Sequence, residues 1–159
     1  MIFVILGTQH NSFVRLLKGI EKLINDGIIN DKVIVQNGST EYNSDKMELH
    51  SFISQEEFDK YVNEADLIIT HGGVSSIVAP VKLGKTVITV PRLAKYGEHV
   101  NDHQKQIIET FSKQGLIIGI NEVEDLADAI LKAKTFKPNK LESNTDNIVR
   151  IIEDFIDKL

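Results

Sequence analysis

Two adjacent glycines with two serines close behind them, in the run His71-Gly72-Gly73-Val74-Ser75-Ser76, are the residues of this sequence best suited to hold an anion. Glycines let backbone approach a ligand closely. A serine opening a helix leaves free N–H groups at the positive end of the helix dipole. Two linked phosphates would fit such a turn, and a plain tight turn with a serine cap would read the same way. Three other segments hold similar chemistry: Gly7-Thr8-Gln9-His10-Asn11-Ser12, Asn37-Gly38-Ser39-Thr40, and the polar stretch 90–104. In that last stretch Arg92 and Lys95 are candidates to neutralise phosphate, Glu98 and Gln104 to hold sugar hydroxyls, and Asn101 or Asp102 to cap a helix. A solvated loop whose Asn-Asp pair only starts a helix accounts for it equally well.

Other chemistries fit less well. His99 and His103 have the i, i+4 spacing of a zinc-binding helix, but Val100 stands where the metalloprotease pattern needs glutamate. Ser75 lies at a turn as a hydrolase nucleophile would, yet Ile77 replaces the closing glycine of G-x-S-x-G. Neither the dinucleotide fingerprint G-x-G-x-x-G nor a P-loop appears. His10 and His50 are isolated, and a lone histidine is more often structural or solvated than catalytic.

These segments need a scaffold, and the apolar pattern supplies one. Short runs rich in β-branched residues at 2–6, 33–36, 67–70, 87–90 and 116–120 read as buried strands. Between them Phe13, Leu16, Leu17, Ile20 and Leu23 repeat at helical spacing, as do Phe58, Tyr61, Val62 and Ala65, and then Val123, Leu126, Ala127 and Ile130. Ser54 with Glu57 forms a capping-box pattern, which starts a helix at Gln55 and runs it to about Ala65. After a polar segment, 137–143, a terminal amphipathic helix over 144–159 places Ile148, Ile151, Ile152, Phe155, Ile156 and Leu159 on one stripe. The alternation predicts one α/β domain over 1–159, a doubly wound and mainly parallel Rossmann-like sheet. Ligands of such sheets bind beyond the carboxyl ends of the strands, where all four candidate segments fall.

The totals agree with one globular domain: 159 residues, 42% hydrophobic and 26% charged. A net charge of -5 gives no general attraction for nucleic acid or an anionic lipid surface. With no cysteine there is no disulfide frame or thiolate metal site, which suits a reducing cytoplasm. The first seven residues lack a basic region and are too short for a membrane span, which takes about 20 apolar residues.

Five groups of residues, in order, resemble a known family: Gly7-Thr8-Gln9; Gln36-Asn37-Gly38-Ser39; Thr70-His71-Gly72-Gly73-x-Ser75-Ser76-Ile77; Gly84-Lys85-x-Val87-Ile88; and Val90-Pro91-Arg92 with Tyr96-Gly97-Glu98-His99-x-Asn101-Asp102-His103-Gln104. From Met1 to about Gly115 the sequence resembles the C-terminal, donor-binding domain of family 28 glycosyltransferases. It is similar in particular to the small soluble subunits of bacterial capsular and exopolysaccharide transferases, and to the soluble subunit of the eukaryotic dolichol-pathway N-acetylglucosaminyltransferase.

The resemblance implies the C-terminal half of a GT-B hexosyltransferase. Such a half binds a UDP-sugar, needs no metal or other cofactor, and works as a heterodimer with a membrane-anchored, acceptor-binding subunit. The acceptor is then a sugar on polyprenyl diphosphate at the cytoplasmic face of the membrane. By resemblance His71, Gly72, Gly73, Ser75 and Ser76 cradle the diphosphate, and Gly7, Thr8 and Gln9 border the cleft. Asn37, Gly38 and Arg92 belong to the donor site, and Glu98, Asn101, Asp102 and Gln104 face the donor sugar or ribose. The general base is expected on the partner, and the terminal helix is a candidate for partner contact. The sequence departs from the pattern at Ala79, where many members have a glutamate expected to hold the ribose, and at Ser75 and Thr86. A non-catalytic nucleotide- or sugar-binding regulator on the same fold is the alternative.

Overall fold

The computed structural model describes residues 1–141 and 145–157. Six parallel strands form one sheet: β1 (Ile2–Ile5), β2 (Val33–Gln36), β3 (Glu48–His50), β4 (Leu67–His71), β5 (Val87–Val90) and β6 (Ile118–Gly119), in the order β3-β2-β1-β4-β5-β6. Each parallel pair needs a crossover, and the helices α1 (Val14–Asn25), α2 (Gln55–Glu64), α3 (Val74–Lys82), α4 (His103–Lys113) and α5 (Leu126–Ala133) lie between or after the strands. The sheet is all-parallel and Rossmann-like.

Alternation along β1 divides the core. Ile2 and Val4, with Leu6 just beyond, pack with Leu16, Leu17 and Ile20 of α1 and with Leu126 and Ile130 of α5. Phe3 and Ile5 face the other way, onto Val62 of α2, Ile77 of α3 and Ile108 of α4. Strands covered on both faces must be apolar throughout, which is why β1, β2 and β5 are buried along their whole length.

Four strands fall where the apolar runs place them, within one residue at each end. The run 116–120 is different. Leu116 and Ile117 are buried ahead of the strand, with the Leu116 amide closing the end of α4 on Phe111 O, so β6 is left with two residues. β3 is the strand that apolar runs do not show: Glu48-Leu49-His50 has one apolar residue and pairs with β2 from the sheet edge. The capping box forms as expected. Ser54 Oγ accepts from Glu57 N–H at 3.2 Å and Glu57 Oε2 accepts from Ser54 N–H at 3.0 Å.

α6 (Thr145–Ile156) lies within the expected terminal helix, with Val149, Ile152 and Ile156 exposed. Residues 142–144, 158 and 159, and the side chains of Ile148, Ile151 and Phe155, lie outside the described set.

Candidate functional site

The strand order reverses direction between β1 and β4, because the chain winds from β1 out to β3 and then back across to β4. Loops leaving two such neighbours run to opposite faces of the sheet and open a crevice between them. Here the crevice has a volume of about 600 Å³. Gly7, Thr8 and Gln9 line it from the β1 side, and His71, Gly73, Ser75 and Ser76 from the β4 side. Its remaining wall is Gln36 at the end of β2, with Phe52, Ile53, Ser54 and Gln55 of the β3–α2 connection and Phe58 of α2. Ala79, at the position where the resemblance expects a ribose-binding glutamate, also faces the crevice. Among the described residues, the lining contains no Asp or Glu.

His71, 6% exposed, is the hub of the β4–α3 turn. Glycines surround it because nothing larger fits. A Cβ on Gly73 would lie 2.3 Å from His71 Cε1, and one on Gly7 2.6 Å from Nε2. Gly72 is packed as tightly on Gln104, with a Cβ there 2.6 Å from the Gln104 Cβ. The amides of these two turn glycines face inward: Gly73 N–H donates to His71 Nδ1 at 3.1 Å and Gly72 N–H to Gln104 Oε1 at 2.9 Å. The first intrahelical bond of α3 is Ile77 N–H to Gly73 O, so the amides left open at the helix mouth are those of Val74, Ser75 and Ser76. Ser76 Oγ is 3.3 Å from His71 Nε2. Burial, followed by the charge of Arg92 and the neighbouring His99, pushes the His71 pKa down to about 4 against an opposing bond from Gln104, so the imidazole is neutral at pH 7.

The β5–α4 loop has a different structure from that expected of a ligand-contacting segment. Arg92 is 1% exposed, and its guanidinium donates to Leu6 O at 2.6 Å and Asn11 O at 2.7 Å while stacking on the Phe13 ring. It ties the β1 and β5 loops together. Glu98, 3% exposed, accepts from Arg15 Nε at 2.8 Å, from a second Arg15 nitrogen at 2.9 Å and from Leu93 N–H at 3.0 Å. Gln104, 4% exposed, has both ends of its amide committed within the fold. Asn101 Oδ1 accepts from His103 N–H and Asp102 Oδ1 from Ala94 N–H, so both bond to their own loop. None of these five residues lines the crevice. Lys95 pairs with Glu122 at 2.7 Å.

Asn37 and Gly38 lie one strand further out. A Cβ on Gly38 would lie 2.3 Å from Gly7 O, and Asn37 Nδ2 donates to Thr40 O at 2.6 Å. Both line a neighbouring groove beside α1 and leave the crevice to Gln36. Phe52, Ile53 and Gln55 are crevice residues that the motifs did not indicate. They follow β3 directly, so the rule that sites lie after strands would have found them had β3 been legible. Among the described residues no three His, Cys, Asp or Glu side chains gather as a metal would require, and no helix is long and apolar enough to cross a membrane.

The model of the glycosyltransferase family 28 C-terminal domain matches residues 1–159. The UDP-N-acetylglucosamine transferase subunit ALG13 of Candida glabrata is 33% identical over 96 residues, which are 58% of this chain and 45% of that protein. The chain thus matches less than half the length of this relative. An NMR structure of ALG13 superposes with a TM-score of 0.61 at 18% identity, covering 98% of this chain and 96% of the other. The crystal structure of the glycotransferase of kitacinnamycin gives 0.60 at 12% identity, covering 98% of this chain and 38% of the other. Both superpositions show the same fold.

Proposed function

Because the chain belongs to the glycosyltransferase family 28 C-terminal domains, we propose that it is the donor-binding subunit of a two-subunit inverting glycosyltransferase that takes a UDP-sugar in the β1/β4 crevice. Its acceptor is a sugar on a polyprenyl diphosphate carrier in surface polysaccharide biosynthesis, presented by a membrane-anchored partner at the cytoplasmic face. The observation that carries this reading is the open mouth of α3. Ser75 and Ser76, whose amides are left open at the helix mouth, and the Ser76 hydroxyl line a crevice at the sheet's reversal point, where a diphosphate gains both hydrogen bonds and the helix dipole. Phe52, Ile53 and Phe58 supply an apolar wall suited to the face of a nucleobase. Because Ala79 lacks a carboxylate, ribose recognition falls to the polar groups left on that wall, Gln36, Ser54 and Gln55.

As the bond from the anomeric carbon to UDP breaks, negative charge grows on the diphosphate, and the helix mouth stabilises it without reorganisation. Inversion also requires a base to take the proton of the attacking hydroxyl. The crevice lining offers no carboxylate, and the buried His71 Nδ1 is already occupied by two donors. In this reading the partner supplies the base. A partner also suits a chain that resembles a protein described as a subunit.

Calorimetry with UDP and a panel of UDP-sugars, beside a transfer assay with and without the co-expressed membrane subunit, tests the reading. The chain alone is expected to bind UDP weakly and transfer nothing, and the pair to transfer in the presence of EDTA. Turnover by the lone chain that survives His71→Ala would refute it.

A further inference from the structure

Gln104 lies outside the crevice, yet its side-chain amide can be oriented in one way only. Oε1 accepts from Gly72 N–H at 2.9 Å and from Arg92 N–H at 3.0 Å. Turning the amide over would set an NH2 group against two other N–H donors, so the backbone fixes the position of the oxygen. The NH2 group is then the part of Gln104 that meets His71 Nδ1, at 3.2 Å. Gly73 N–H donates to the same ring nitrogen at 3.1 Å. A nitrogen that accepts from two donors holds no proton, so the imidazole proton sits on Nε2. That atom lies 3.3 Å from Ser76 Oγ and against Gly7, both of which line the crevice.

We propose that Gln104 is a positioning residue: with the Gly73 amide it locks His71 in its Nε2–H form, which donates to Ser76 Oγ and leaves the Ser76 O–H to donate to a diphosphate oxygen of the nucleotide-sugar. The inference rests on the crevice being the nucleotide-sugar site. The charged or titratable groups acting on His71 are Arg92 and His99 of the β5–α4 loop; α3 and α4 present it with the uncharged Ser76 and Gln104, and the β1 loop with the Gly7 backbone. Burial and the Arg92 charge oppose a second proton on the ring, and the neutral donor persists across the physiological range. The diphosphate diester of a UDP-sugar does not titrate there either. Affinity for the sugar nucleotide is therefore independent of pH between about 5 and 8 in the native protein.

Long-range 15N NMR of the full chain, labelled at histidine, reads the ring directly. At pH 7 the His71 Nδ1 is expected to be bare and Nε2 protonated; a proton on Nδ1 in the native chain overturns the proposal whatever any variant does. Gln104→Glu keeps an oxygen for the Gly72 and Arg92 amides and sets a second acceptor opposite Nδ1. The proton should move to Nδ1 and the ring's titration point should rise. Nε2–H then survives only in the doubly protonated ring, so the variant's affinity for UDP-N-acetylglucosamine should fall as pH rises through the new titration point, by about tenfold. A variant whose Nδ1 stays bare, or whose proton moves while affinity remains flat in pH, overturns the positioning role. If the proton moves as expected but the native chain binds no UDP-sugar, the reading of the crevice fails and the control of the ring by Gln104 stands.

Discussion

The β4–α3 turn and the β5–α4 loop are both polar, both follow a strand and both end on the same edge of the sheet, but one opens to the crevice and the other closes on itself. In the turn, glycines clear a path for one imidazole and leave helix amides facing outward. In the loop, Arg92, Glu98 and Gln104 spend their hydrogen bonds on backbone, on Arg15 and on His71. The difference teaches that density of polar side chains is a poor guide to which of them meet a ligand. A long connection has many backbone groups of its own to satisfy, and buried side chains are the nearest partners.

Three measurements can break or sharpen that contrast. The largest effect is expected from Glu98→Ala, which leaves the Arg15 guanidinium and the Leu93 amide without their buried acceptor and lowers unfolding free energy by about 3–5 kcal/mol in urea titration. A variant of native stability with lost UDP-sugar affinity would move Glu98 to the ligand side.

Next comes a limb of the stability–pH curve. The His71 pKa is lower in the folded chain, about 4, than the free value of 6.5, so as acid is added the unfolded chain takes up the proton first. The stability this contributes is full above pH 6.5 and is lost as pH falls toward 4, a change of order 3 kcal/mol. Denaturant midpoints across that window should converge for wild type and His71→Gln as pH drops; parallel curves would place the imidazole in solvent. Smallest is Gly73→Ala, whose added methyl must push the imidazole by overpacking costing about 1–3 kcal/mol. UDP-sugar affinity should fall about tenfold by calorimetry. Unchanged binding would mean that the turn's tight packing has no bearing on the ligand.

Most of the fold was legible because a parallel sheet covered on both faces writes itself as apolar runs, as in Ile2-Phe3-Val4-Ile5 and Val87-Ile88-Thr89-Val90. β3 was not, because an edge strand of three residues with exposed Glu48 needs little apolar sequence. That single omission also hid Phe52, Ile53 and Gln55, a whole wall of the crevice. On the opposite wall the glycine spacing located His71, Ser75 and Ser76 directly, because steric room is a property of residue type. Burial is a property of the finished fold, so nothing in the sequence separated Arg92, at 1% exposure, from a cation that could reach a phosphate.

The two margins of the sheet have a consequence for assembly. β3 offers three residues, with Glu48 bonded to Lys32 and His50, and β6 offers two. Neither is long enough to template another chain by backbone pairing, and the charge on the first discourages it further. Edge-to-edge extension of the sheet is thereby disfavoured as a route to association, which leaves side chains on the helices and the loop rim as the surface for recognising a second polypeptide.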